Sequence, residues 1–304
     1  MNIDTYKSGF VAIIGRPNVG KSTFLNTVVG KKIAIMSDKP QTTRNRILGI
    51  VTTDEMQIAF TDTPGIHKPT TELQRRMVNA SYDATKGVDC VIFMTTPVKS
   101  VLKGDEIILE NLKKTKVPVF LVINKVDQLK RFNDIDLTIN LYKDLYPFQG
   151  IFPISVIENK NMDMLLNEIK RALPFGPQFY PEDMLSDHPE RFLISELIRE
   201  KILDSTKQEV PHSIAVVVDS MKECEDNPDY TDIYATIYVE RDSQKRIIIG
   251  HNGDLIKNVK LKSINDIKRL IGKKVHLDLW VKVKKDWKDR PSDLRVLGYS
   301  NDNF

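Results

Sequence analysis

The sequence predicts an α/β domain on a mostly parallel sheet, followed by a smaller α+β domain. Three observations carry that prediction. Short β-rich runs alternate with helix-like stretches through the first 170 residues; such alternation implies crossover connections and a sheet covered on both faces. The segment 173–183, LPFGPQFYPED, holds three prolines and a glycine, which break any helix and favour a stiff, extended linker. Beyond it the predicted order changes to α-β-β-α-α-β. The expected division is a first domain at 1–173, a linker at 174–183 and a second domain at 184–304.

In the first domain, strands are expected at Phe10–Ile14, Ile47–Thr53, Met56–Asp62, Cys90–Thr95, Val117–Asn124 and Gly150–Ile154. Helices are expected at Lys21–Gly30, Glu72–Lys86, Gly104–Lys114, Ile135–Tyr146 and Met162–Leu173. The second and third strands lie too close for a crossover, so they should form an antiparallel hairpin at one edge. The second domain reads as a helix at about Pro189–Ser205, strands at Ser213–Met221 and Asp232–Glu240, a basic segment with a glycine pair, a helix through Ile271 and a strand at Lys274–Val283.

Composition narrows the class. The chain has 304 residues, 41% hydrophobic and 28% charged, with a formal charge of +4, ordinary values for a globular protein. Its two cysteines, Cys90 and Cys224, give neither a disulfide framework nor zinc-motif spacing. Cys90 lies in an apolar run and reads as a small buried hydrophobe. The N-terminus lacks a basic start followed by an apolar core, and no run approaches the roughly 18 apolar residues of a membrane span. An intracellular protein is expected. Charge is split within the second domain: residues 184–240 carry 5 Lys/Arg against 13 Asp/Glu, and residues 241–295 carry 16 against 7. The basic half surrounds a glycine loop, which suits a polyanion.

Gly15-Arg16-Pro17-Asn18-Val19-Gly20-Lys21-Ser22 matches G-x-x-x-x-G-K-[ST] and sits between an expected strand and an expected helix that runs on through Thr23. Backbone N–H groups of such a loop wrap a phosphate chain, helped by the positive end of the helix. Lys21 would reach the β- and γ-phosphates and Ser22 would ligate Mg²⁺. Asp62-Thr63-Pro64-Gly65 closes a strand some 40 residues later. A Pro-Gly turn alone accounts for these residues, but after a phosphate loop Asp62 can hold Mg²⁺ through a water and Gly65 can bond the γ-phosphate. Asn124-Lys125-Val126-Asp127 ends another strand. Guanine offers two adjacent donors that one carboxylate accepts, so Asp127 selects GTP over ATP. Asn124 would tie the loop to the base edge while the Lys125 stem covers the base. Ser155-Val156 follows a further strand, where a backbone N–H could read the guanine O6.

These four elements resemble the P-loop GTPases of the translation-factor-related class over Gly9 to about Leu173. The resemblance implies a switch segment at Lys39–Asn45, with one threonine ligating Mg²⁺ when the γ-phosphate is present. Thr43 is favoured over Thr42, although spacing does not decide. It implies a second switch at Gly65–Thr71. Ile66 occupies the position where many GTPases carry a water-orienting glutamine, so turnover should be slow. Lys21, Thr43 and Gly65 would carry the positioning and charge stabilisation that hydrolysis needs. Asn18 resembles an asparagine that helps bind K⁺ in related GTPases. Arg16 and His67 are weaker catalytic candidates.

Gly250-His251-Asn252-Gly253 places a G-x-x-G loop between two helical segments. Such a loop admits a single-stranded nucleic-acid backbone, with Lys245, Arg246, Lys257 and Lys260 available to neutralise phosphates. A turn between helices without a ligand is the plainer reading, and the basic surroundings favour RNA. The segment resembles a type II KH domain. A P-loop GTPase followed by such a domain resembles the Era-like GTPases. GRPNVGKS, KPQTTRNR, DTPGIHKP, NKVD, SDHPERF, IREKIL, ATIYVERDSQK and LWVKVKKDW carry that likeness nearly end to end. It implies binding of 16S rRNA near its 3′ end and a role in 30S subunit maturation. It also implies GTP or GDP with Mg²⁺, peripheral association with the cytoplasmic face of the membrane, and a monomer. His251 and Asn252 depart from the lysine usual between the glycines, so backbone donors and the flanking cations should matter more. Valine at 156 departs from the usual alanine. Rivals are a GTPase that supports tRNA modification, a passive RNA adaptor and a protein-docking second domain.

Overall fold

Residues 5–37, 39, 42–66, 69–129, 133–206 and 213–299 are described by a computed structural model. The apolar runs between glycine- and proline-rich turns become strands of one sheet. These are β1 (Lys7–Gly15), β2 (Ile47–Thr52), β3 (Met56–Asp62), β4 (Cys90–Thr95), β5 (Val119–Ile123) and β6 (Gly150–Pro153), ordered β2-β3-β1-β4-β5-β6. All neighbours are parallel except β2 and β3, which form the antiparallel edge hairpin. The central strands are apolar at nearly every position because helices cover both faces. Those helices are α1 (Lys21–Val29), α2 (Glu72–Asp83), α3 (Lys103–Leu112), α4 (Asn133–Tyr142) and α5 (Met162–Ala172). Helix α1 ends where Gly30 turns left-handed at φ 74°, a conformation that glycine adopts without Cβ strain. Helices α2 and α4 stop three and four residues before their expected ends.

The second unit contains α6 (Glu190–Ser205), β7 (Ala215–Glu223), β8 (Tyr230–Val239), α7 (Asp242–Ile249), α8 (Asp254–Ile271), β9 (Lys274–Val283) and a short α9 (Pro291–Val296) absent from the sequence reading. Its sheet is mixed: β7 runs antiparallel to β8, and β9 parallel to it. Ile194, Ile198, Ile202, Ile237, Val259 and Ile267 are fully buried in its core. Trp287 is fully buried near the C-terminus and donates its indole N–H to the Ser213 carbonyl at 3.2 Å, which satisfies the polar end of a large apolar side chain.

The unit boundaries differ from the sequence division. The first unit extends to Asp187, so the segment expected as a stiff, extended linker at 174–183 belongs to it. Gln57 explains why: its side-chain oxygen accepts the N–H groups of Phe179 and Tyr180 at 2.7 and 2.9 Å, and its amide donates to the Tyr180 carbonyl. Phe10 stacks on Phe179 with ring centroids 5.1 Å apart. The second unit begins at His188 but also claims residues 34–42 and 70–76.

Candidate functional site

All four motifs of the first unit lie at carboxyl ends of parallel strands, where ligands gather in open α/β sheets. Gly15 ends β1, Asp62 ends β3, Asn124 follows β5 and Ser155 follows β6. The loop from Gly15 to Gly20 is held open by two left-handed residues, Asn18 at φ 64° and Gly20 at φ 105°. Glycine is required at 20 for a second reason. A Cβ there would lie 2.2 Å from Asn124 Nδ2. Lys21 is buried in the first turn of α1, with Thr23 beside it, and its ammonium donates to the Gly15 and Arg16 carbonyls at 3.1 and 3.0 Å. Burial pushes the Lys21 pKa down to about 8, Arg16 adds to the fall, and Asp62 opposes it.

Three of the residues expected at a metal converge. Ser22 Oγ donates to Asp62 Oδ2 at 2.6 Å and lies 2.9 Å from Thr43 Oγ1, which is 3.4 Å from the same carboxylate oxygen. Burial raises the Asp62 pKa, while Lys21 and the two hydroxyls pull it back. Its Oδ1 is buried with no hydrogen-bond partner among the described residues. An orphaned carboxylate oxygen beside two hydroxyls is a hard, all-oxygen donor set that fits Mg²⁺. Thr42 is excluded from it, because its hydroxyl donates to the Lys39 and Ser37 carbonyls at 2.6 and 3.2 Å.

Thr63 donates its hydroxyl to the Ile13 carbonyl, and the Pro64 carbonyl accepts Ser81 Oγ, both at 2.8 Å. Gly65 runs against the phosphate loop; a Cβ there would approach Pro17 N to 2.6 Å. The Ile66 side chain is buried in the core cluster with Ile14, Val91 and Ile108. His67 lies outside the described residues, as do Pro40 and Gln41 of the first switch. Arg16 is held by Asp105, Nε to Oδ1 at 2.9 Å, and by Thr95 at 3.3 Å. Tyr142 anchors Asp105 at 2.6 Å. The sequence reading missed that brace, whose signal is a charge on the apolar face shared with Ile108, Leu109 and Leu112.

The base-reading loops are tied together through Asn124. Its amide donates to the Val19 carbonyl at 2.9 Å, and its oxygen accepts the Val156 N–H at 3.2 Å. Lys125 is left-handed at φ 67°. Asp127 accepts Ser155 Oγ at 2.6 Å, which presents the carboxylate in one orientation. Both backbone N–H groups of the pair expected to read the base have partners within the protein. Ser155 N–H donates to Lys160 and Val156 N–H to Asn124, so the pair braces Asp127 and Asn124 beside the base position.

In the second unit the G-x-x-G turn links α7 to α8. Gly250 has φ 76°, ψ 178°, and a Cβ there would sit 2.8 Å from Leu255 Cβ. Asn252 and Gly253 are left-handed at φ 50° and 79°. His251 and Asn252 are exposed, as are Arg246 on α7 and Lys257 on α8; Lys245 is half-buried. Lys257 reaches back to the Asn252 carbonyl at 3.5 Å. Lys260, half-buried on α8, pairs with Asp278 at 2.9 Å. The same unit holds a buried set that the sequence reading missed. Arg199 on α6 is fully buried, bonds Glu196 at 2.6 and 2.8 Å, and donates to the Thr42 carbonyl. Glu200 accepts the Met36 N–H at 3.4 Å, and Ile35 joins the core. The signal in LISELIREKIL is four charges, at 196, 199, 200 and 201, among apolar residues, and the first three of them are buried.

Comparison with known proteins extends this geometry. A profile described as 50S ribosome-binding GTPase matches residues 10–125, and a KH-domain profile matches residues 209–288. Two similar solved structures are a variant of Era from Aquifex aeolicus bound to GDP·AlF4−, and Era in complex with MgGDPNP and nucleotides 1506–1542 of 16S ribosomal RNA. Each is 39% identical with a TM-score of 0.93, over 97% of this chain and 99% of the other. Likeness of that extent reaches both the strand-edge site and the G-x-x-G unit, and the chain belongs to the Era family of GTPases.

Proposed function

We propose that this GTPase is a nucleotide-operated switch that binds 16S rRNA through its KH unit and serves 30S subunit maturation. One observation carries the switch. Thr43, whose hydroxyl joins Ser22 and Asp62, belongs to the first unit, whereas Thr42, whose carbonyl accepts Arg199, belongs to the second. A γ-phosphate and Mg²⁺ that recruit Thr43 act on the adjoining peptide, which the buried Arg199 holds. Asp127 selects guanine, Lys21 neutralises phosphate charge and Ser22, Thr43 and Asp62 hold the cation. Phosphoryl transfer then needs positioning more than covalent chemistry. The buried Ile66 supports slow turnover.

RNA crosslinking with sequencing, compared between GTP and GDP states, tests this reading. Enrichment of 16S rRNA near its 3′ end in one state is expected; no rRNA enrichment in either state sinks it. Arg199→Met should leave GTP affinity intact and shrink the GTP-against-GDP difference in RNA affinity by at least about fivefold, as read by filter binding. The Lys21 pKa gives a pH test. Above about 8 the nucleotide-free ammonium loses its proton, whereas phosphate oxygens favour the charged form. GTP binding should therefore take up protons above that pH and weaken by up to about tenfold per unit. Calorimetry in buffers of different ionisation enthalpy reads the uptake, and its absence in Lys21→Arg is the control.

Asn18 within the phosphate loop, with a side-chain carbonyl suited to a monovalent cation, supports K⁺ as a hydrolytic activator. Faster turnover in K⁺ than in Na⁺ is expected, and equal rates end that idea. Peripheral association with the cytoplasmic face of the membrane, and a monomeric state, complete the proposal. They rest on the Era-like sequence segments; among the described residues no helix is long and apolar enough to cross a membrane.

A further inference from the structure

The second unit carries metal-ligating side chains that neither the nucleotide site nor the G-x-x-G turn uses. Cys224 follows β7, Asp232 lies on β8 and His276 on β9, and one donor atom from each lies within 4.8 Å of the others. Backbone geometry brings them together. The Cys224 N–H donates to the Tyr230 carbonyl at 3.0 Å, closing the turn between β7 and β8. Asp232 is paired with His276 in the parallel ladder, so their side chains share a face. His276 Nδ1 lies 2.9 Å from Asp232 Oδ1, and the Tyr230 ring stacks on the imidazole with centroids 4.4 Å apart, which restricts its rotation. His276 is exposed while Cys224 and Asp232 are half-buried, so one side stays open to water.

We propose that Cys224, Asp232 and His276 form a zinc site that staples the three strands of this sheet. Thiolate, imidazole and carboxylate together suit Zn²⁺, with water as a fourth ligand. Bond lengths of about 2.0–2.3 Å put tetrahedral ligand atoms roughly 3.3–3.8 Å apart. Side-chain adjustments of about an ångström reach that spacing from the distances observed. Binding releases the Cys224 thiol proton to solvent, and thiolate plus carboxylate neutralise the dication. Hard cations prefer the all-oxygen set at Asp62, so the two sites select different metals. The cluster sits at the start of β9, beyond the C-terminal end of α8. The G-x-x-G turn sits at the other end of that 18-residue helix, about 27 Å away along its axis. Zinc should therefore stabilise the sheet without occupying the RNA-facing turn.

The full-length, reduced protein with excess Mg²⁺ present is titrated with Co²⁺ and then with Zn²⁺. One Co²⁺ showing a thiolate-to-cobalt charge-transfer band, displaced by Zn²⁺, is expected. Cys224→Ser should abolish the band and weaken Zn²⁺ at least about 100-fold, more than the loss of an outer partner does. His276→Ala should weaken Zn²⁺ similarly, and Zn²⁺ should raise the Tm of the unsubstituted protein but not of either variant. Co²⁺ binding without the band, or Zn²⁺ affinity retained in both variants, overturns the proposal.

Discussion

Asp127→Asn should weaken GTP binding by about 10²–10⁴-fold and raise affinity for xanthosine nucleotides. The carboxylate accepts two donors on the guanine edge, and hydrogen bonds to a charged group contribute about 1.5–3 kcal/mol each. Replacing one oxygen by an amide sets a donor against a donor. Xanthine carries a carbonyl at that position, so the same amide becomes complementary. Ser155 sharpens the expectation, because its hydroxyl donates to Asp127 Oδ1 at 2.6 Å. In the variant it keeps the amide oxygen in that place and turns the NH₂ toward the base. Titration with fluorescent guanosine and xanthosine nucleotides reads both changes. GTP affinity within a few-fold of the original would show that the selectivity lies elsewhere.

Gly20→Ala should abolish measurable GTP binding and lower stability by about 2–4 kcal/mol, from left-handed strain and displaced buried hydrogen bonds. Two faults add. The backbone at φ 105° disfavours any Cβ, and that Cβ would meet Asn124 Nδ2 at 2.2 Å. Displacing Asn124 breaks its bonds to the Val19 carbonyl and the Val156 N–H, so the phosphate loop and the base loops lose their tie at once. Removing the clash in a Gly20→Ala/Asn124→Ala double variant should recover part of the stability and none of the binding. Thermal unfolding and nucleotide titration separate the two effects. GTP binding in the double variant restored to that of the parent would refute the tie.

Sequence pattern made the phosphate loop, the Asp62 turn, the NKVD loop and the G-x-x-G turn legible, because each depends on a local requirement. Gly20 and Gly250 meet backbone angles and close approaches that a Cβ obstructs. Alternating apolar runs and helical stretches likewise gave the sheet order its edge hairpin, since two residues of turn permit no crossover. What remained illegible depends on residues far apart in the chain. Thr42 and Thr43 are equivalent by spacing, and only the fold shows one hydroxyl turned to Lys39 and the other to Asp62. Gln57 drew the proline-rich stretch onto the first unit by hydrogen bonds across more than a hundred residues.

The sequence by itself determined the guanine-nucleotide chemistry and the presence of a second domain with a basic half. The tertiary structure decided which switch residues belong to which unit. Residues 34–42 are too short to bury a core of their own, so Ile35 and the peptides at Met36 and Thr42 find partners on α6. A buried Arg199 keeps them there, since a charge out of water needs its carboxylate and carbonyl. Local sequence specifies the groups that bind phosphate; burial and pairing at long range decide what those groups move.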